Sequence, residues 1–142
     1  AGLVSEGLEY GYYRLHANMP CALLGLSVSD EVYARIRNRV DRMRMQKDDY
    51  RYDVKGLIRC KLGKESNRPN RYFCSKFVSE VLGDSGALRL PKPTSLMRPQ
   101  DFMDMPQLTV LYRGSIAGLI LKVQLEEISK HVAAIKAPKA LL

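Results

Sequence analysis

Histidine is nearly missing from this sequence: His16 and His131 are the two present. Cysteine is sparse and scattered. Cys21, Cys60 and Cys74 show no CxxC spacing and have no histidine at metal-ligand distance, which argues against a zinc site and against a disulfide framework. A reducing compartment follows, with each thiol free to react, and no metal or cofactor is expected. Long apolar runs are also absent. Nothing approaches the roughly 18 residues needed to span a bilayer, because Ile116–Val123 is short and contains Lys122. Residues Ala1–Glu9 lack the basic start and apolar core of a signal peptide, which points to a cytoplasmic protein. There is no RNA-binding aromatic motif, zinc finger or Gly-rich phosphate loop, so nucleic acid is not an expected partner. Internal repeats and low-complexity segments are absent too.

What is present fits an ordinary globular chain. Its 142 residues are the size of one domain, with 46% hydrophobic and 27% charged residues. The formal charge of +8 is concentrated. Residues 35–71 hold thirteen Lys and Arg against five acids, so this segment carries the whole net charge. It could meet an anionic lipid or acidic polymer, or simply form a solvated helix face.

Along the chain, residues 1–20 read as loop. CALLGLSV, Cys21–Val28, is an apolar run of strand length and reads as a buried strand. Ser29 then caps a helix running to about Lys47, with Asp30 and Glu31 in its first turn and Val32, Ile36, Val40 and Met43 on its apolar face. A shorter helix is expected over Tyr52–Leu62, ended by Gly63. KESNRPN is a turn, and a helix begins near Cys74 and closes at Gly83 or Gly86. Four prolines break up LPKPTSLMRPQDFMDMP, where Asp101 reads as the cap of a short turn. Leu108–Ile116 is a strand, and Leu121–Lys136 a helix with Leu125, Ile128, Val132 and Ile135 on one face. The class is α+β.

Cys74 stands three and four residues before Phe77 and Val78, so its sulfur shares their face, which Val81 and Leu82 extend into an apolar stripe. That pattern alone suits a small packed residue. A helix N-terminus, however, presents unpaired N–H groups that stabilise anions, whether a thiolate or the oxyanion of a tetrahedral intermediate.

The run YFCSKFVSEVLGDSG, followed by KPTSLMRPQDFMDMPQLTVLYRGSI, resembles the C-terminal half of the permuted NlpC-like, papain-fold thiol hydrolases of bacteria. The likeness extends upstream through CALLGLSV and YDVKGLI and covers roughly residues 2–116. It implies a circularly permuted papain-like domain over residues 1–118, with the helix that carries Cys74 packed on an antiparallel sheet. Residues 119–142 would form a helical tail.

The implied activity is hydrolysis of a peptide-like amide or an ester through a Cys74 acyl-enzyme, with a histidine as base. In the family that histidine precedes the cysteine on an early strand reading like SHV. No such strand is found here, so the resemblance implies a chain that starts after it, completed by an N-terminal segment or a second chain. His16 has the right order to substitute but sits in a loop; His131 lies in the tail. Tyr72 and Ser75 are candidates for the oxyanion site or cleft wall. The alternative is a non-catalytic binding domain that engages an anionic partner through residues 35–71.

Overall fold

Two helices in the first half of the chain start where a side chain accepts a hydrogen bond from the helix's own first turn. In the computed structural model, which describes residues 2–136, helix α2 (Asp30–Met45) follows Ser29, whose hydroxyl accepts the Val32 N–H at 3.2 Å. Helix α3 (Val54–Lys61) follows Asp53, whose carboxylate accepts the Gly56 N–H at 3.0 Å. Each cap satisfies a donor that the helix itself leaves open.

The elements before and between these helices are α1 (Tyr12–Leu15), β1 (Pro20–Gly25) and β2 (Arg51–Tyr52). After them come β3 (Arg71–Tyr72), α4 (Cys74–Asp84), α5 (Pro99–Met103), β4 (Thr109–Ser115) and α6 (Ile116–Lys136). The class is α+β with a small antiparallel sheet. Strand β1 pairs with β4, and β2 pairs in parallel with β3.

The chain divides into two compact units. The first is built from Leu24–Thr109 with the N-terminal residues to Ser5, the second from Glu6–Leu23 with the chain from Val110 onward. The first unit is centred on Leu88, Met97, Phe102 and Met105, flanked by Leu24, Leu26, Leu82, Leu90 and Leu108. Met97 is fully enclosed; burial of such a side chain contributes about 1.5–3 kcal/mol. In the second unit Ile116 and Leu119 are buried. There α6 begins directly after β4, five residues before the expected start. The Ser115 hydroxyl accepts the Gly118 N–H, and the N–H groups of Ile116 and Ala117 donate to Met19 and Ala17 carbonyls. Of the stripe expected on α6, Ile135 falls among side chains outside the described set, as do residues 137–142 of the tail.

Two expectations need correction, and a third, that the Cys74 helix closes at Gly83 or Gly86, resolves to Gly86. Cys21–Val28 is not a buried strand: β1 ends at Gly25 and is half open, because a two-stranded sheet leaves strand faces uncovered. The second helix starts at Val54 rather than Tyr52, since Arg51 and Tyr52 are committed to pairing with Arg71 and Tyr72. Helix α4 runs through Gly83 and ends before Gly86, which takes the left-handed φ of 80° that a side chain would resist.

The face of α4 that is buried also differs from the apolar stripe. Ser75, Lys76 and Ser79, off the stripe, are buried together with Val81 of the stripe, whereas Val78 is exposed. Within its unit α4 packs against α2 and the 3-10 turn at Thr94–Leu96. Small serines permit that close approach, and the Ser79 hydroxyl donates to the Ser75 carbonyl at 2.6 Å.

Gly56 is dictated by the Asp53 cap, because a Cβ there would stand 2.1 Å from Asp53 Oδ2. A helical Gly→Ala change normally stabilises by up to about 1 kcal/mol. Here the clash dominates: Gly56→Ala is expected to destabilise by about 1–3 kcal/mol, read as a lower midpoint in urea unfolding at unchanged slope. A stabilised variant would refute the tight cap.

Candidate active site

The cysteine is delivered by a short parallel strand pair. Asn70 adopts a left-handed φ of 55° and turns the chain into β3. The Arg51 N–H donates to the Asn70 carbonyl, and the Asp53 N–H to the Tyr72 carbonyl, both at 2.9 Å. Phe73 is then driven into the interior, 1% exposed, and Cys74 becomes the first residue of α4. No side chain caps this terminus, so the first-turn N–H groups lack the satisfaction that Ser29 and Asp53 provide elsewhere.

Cys74 does share a face with Phe77, Val78 and Val81, but that face opens outward at its N-terminal end. The thiol is exposed and lies on a cavity of about 360 Å³. The walls are Leu3, Val4, Phe73, Phe77 and three tyrosines, Tyr50, Tyr52 and Tyr72, with Gly2 and Arg51 completing them. A thiol at the edge of an apolar, aromatic cavity stands where an apolar group could bind beside it. Among the described residues lining it, none is a histidine.

Tyr72 lines this cavity, as expected for a cleft residue, but its hydroxyl is engaged elsewhere. It donates to Glu80 Oε1 at 3.0 Å, and Arg39 Nη2 donates to the same oxygen at 3.0 Å. Arg39 also pairs with Asp84. Burial, followed by the Glu80 carboxylate, pushes the Tyr72 phenol up to about 12. Lys76, 5% exposed, sits 5.1 Å from the ring centroid and donates to the carbonyls of Arg68 and Arg71 at 3.2 and 2.9 Å. Tyr72 is thereby clamped as a rigid wall rather than a free oxyanion donor.

The other candidates are placed differently. Ser75 is buried on the opposite face and does not line the cavity. His16 belongs to the second unit. Its Nδ1 lies 2.8 Å from the Tyr12 carbonyl and its ring stacks on Tyr12 at 4.0 Å. His131 is exposed on α6. Asp101 caps α5 by accepting the Arg98 N–H at 2.6 Å and pairs with Lys92. Its burial opposes the charge, but Lys92 and that N–H outweigh it and hold the carboxyl below its ordinary value. Among the described residues no cluster of His, Cys, Asp and Glu could hold a metal ion.

Comparison with protein-family models, curated proteins and solved structures gives no match. The site therefore rests on its own geometry.

A larger cavity of about 730 Å³, lined by Leu3–Ser5 and the end of α2, holds no thiol or histidine. Sequence reading missed Tyr50, Tyr52 and Glu80 as parts of the Cys74 site.

The phenol of Tyr72 ionises near 10.0 when unfolded and about 12 when folded. Its contribution to stability is thus complete below pH 10 and is lost as pH rises through the folded value. Tyr72→Phe should flatten the alkaline fall in urea-unfolding stability between these limits. Glu80→Gln should move the Tyr72 titration, followed by phenolate absorbance against the Tyr72→Phe background, toward lower pH.

Proposed function

We propose that this chain carries the nucleophile of a cysteine hydrolase acting on amide or ester bonds. The observation that carries the reading is the exposed Cys74 thiol at the uncapped start of α4, on the aromatic cavity. The resemblance to permuted papain-like hydrolases supports it and supplies the roles. The Cys74 thiolate attacks the substrate carbonyl, and the first-turn N–H groups of α4 face the developing oxyanion. The C–N or C–O bond then breaks, the leaving amine or alkoxide takes a proton, and a thioester remains on Cys74. Water hydrolyses it and restores the thiol. The walls of the cavity hold the acyl side of the substrate.

Proton transfer needs a base, and no side chain of the cavity wall serves. In this reading the base is a histidine that does not line the cavity. A weaker competitor is a binding domain that uses the same cavity without turnover. The lack of a histidine on the cavity wall favours it.

Acylation with an activated ester such as p-nitrophenyl acetate tests the site without requiring a perfect base. The expected product is a single thioester on Cys74, located by peptide mass, absent in Cys74→Ser and formed much faster than adducts of Cys21 or Cys60. Iodoacetamide at pH 6 should also label Cys74 faster in the folded than in the urea-unfolded chain, although unfolding exposes the thiol further. Equal rates would sink the activated-nucleophile reading, and so would acylation that does not prefer Cys74.

A further inference from the structure

Helix α3 is buried on one side only. Gly56 and Cys60 face inward, while Val54, Ile58 and Leu62, spaced four residues apart, are 56%, 54% and 66% exposed. A spacing of four keeps these three on one outward stripe. Helical geometry places Lys61 on one edge of the stripe and Lys55 and Arg59 on the other. All three are exposed, but Arg59 donates twice to the Glu65 carbonyl, which leaves Lys55 and Lys61 as the open cations. No carboxylate stands on the helix: Asp53, before it, is fully buried and paired with Arg68. Tyr52, immediately upstream, is 51% exposed and also lines the Cys74 cavity.

A protein partner would have to place carboxylates on both sides of an apolar patch to match this arrangement. An anionic bilayer matches both parts. Its headgroups meet the two lysines while its acyl boundary accepts aliphatic and tyrosine side chains. No helix among the described residues is long and apolar enough to cross a membrane, so the contact would be interfacial.

We propose that the outward face of α3 is an interfacial anchor for membranes rich in anionic lipid, seating the Tyr52 side of the Cys74 cavity at the lipid surface. The anchor does not depend on the hydrolase reading, because none of its contacts uses the thiol.

The test is co-sedimentation of the whole chain with phosphatidylcholine vesicles, alone or with about 30% phosphatidylserine. Binding is expected on the anionic vesicles, weakened by salt, and slight on neutral ones. Ile58→Asp with Leu62→Asp should cut the bound-to-free ratio by about tenfold or more. Both positions are exposed, so circular dichroism should be unchanged. Lys55→Gln with Lys61→Gln, a second and milder pair, should remove the preference for phosphatidylserine. Cys74→Ala should bind like the parent chain, whatever the outcome of the acylation test. The proposal is overturned by equal binding to both vesicle types, or by parent-like binding of the Asp pair. A soluble dimer that the Asp pair dissolves, with vesicles left unbound, would likewise overturn it and assign the stripe to a second copy.

Discussion

The buried carboxylate of Asp53 is the constraint on which the Cys74 region depends. It has no exposed surface, and its Oδ1 accepts from both the Gly56 N–H and Arg68. Its own backbone N–H donates to Tyr72, two residues before the thiol. One residue thus caps α3, fixes the 66–70 loop through Arg68, and registers β2 on β3. Removing Arg68 would leave this buried carboxylate without its ion-pair partner, which is unfavourable because burial deprives it of water. Oδ2, left without a hydrogen-bond partner among the described residues, is packed against Gly56. At the other end of α3, Arg98 donates to the carbonyls of Cys60 and Lys61. The helix therefore carries an anion at its start and a cation at its end, the arrangement its dipole favours.

The basic excess has two parts with different work. Several cations are internal ties rather than a recognition surface. Arg35 donates to the Ser85 carbonyl, Arg39 joins α2 to Glu80 and Asp84 of α4, and Arg59 donates twice to the Glu65 carbonyl. Arginine suits this because its rigid fork reaches carboxylates and carbonyls at once. Lys55 and Lys61 stand instead on an outward helix face beside exposed aliphatic residues. Counting charge along the chain merges these roles, so the net value says little about binding.

Around the thiol, rigidity and openness are separated along one helix. Phe73 and the Ser75–Ser79 side lock α4 into its unit, while Cys74, Phe77 and Val78 look outward or onto the cavity. Tyr72 is held from three directions, by Glu80, by Lys76 over its ring and by the edge of Phe77. A wall fixed this way keeps the shape of the cavity independent of what enters it.

By itself the sequence determined the α+β class, the start of α2 at Ser29, the position of Cys74 at a helix start and the role of Asp101 as a cap. Each follows from residues only a few positions apart, where helical period and capping chemistry act locally. Two-residue strands carry no readable period, so β2 and β3 were invisible, and with them the true start of α3. The apolar spacing of α4 correctly grouped Cys74 with Phe77, Val78 and Val81, yet it could not say which side of the helix would be covered. Tertiary packing decided that: the serine and lysine side is covered, and on the cysteine side Val81 is buried while Cys74 and Val78 stay exposed. Burial depends on what the rest of the chain brings to a face, and neighbours distant in sequence chose that outcome here.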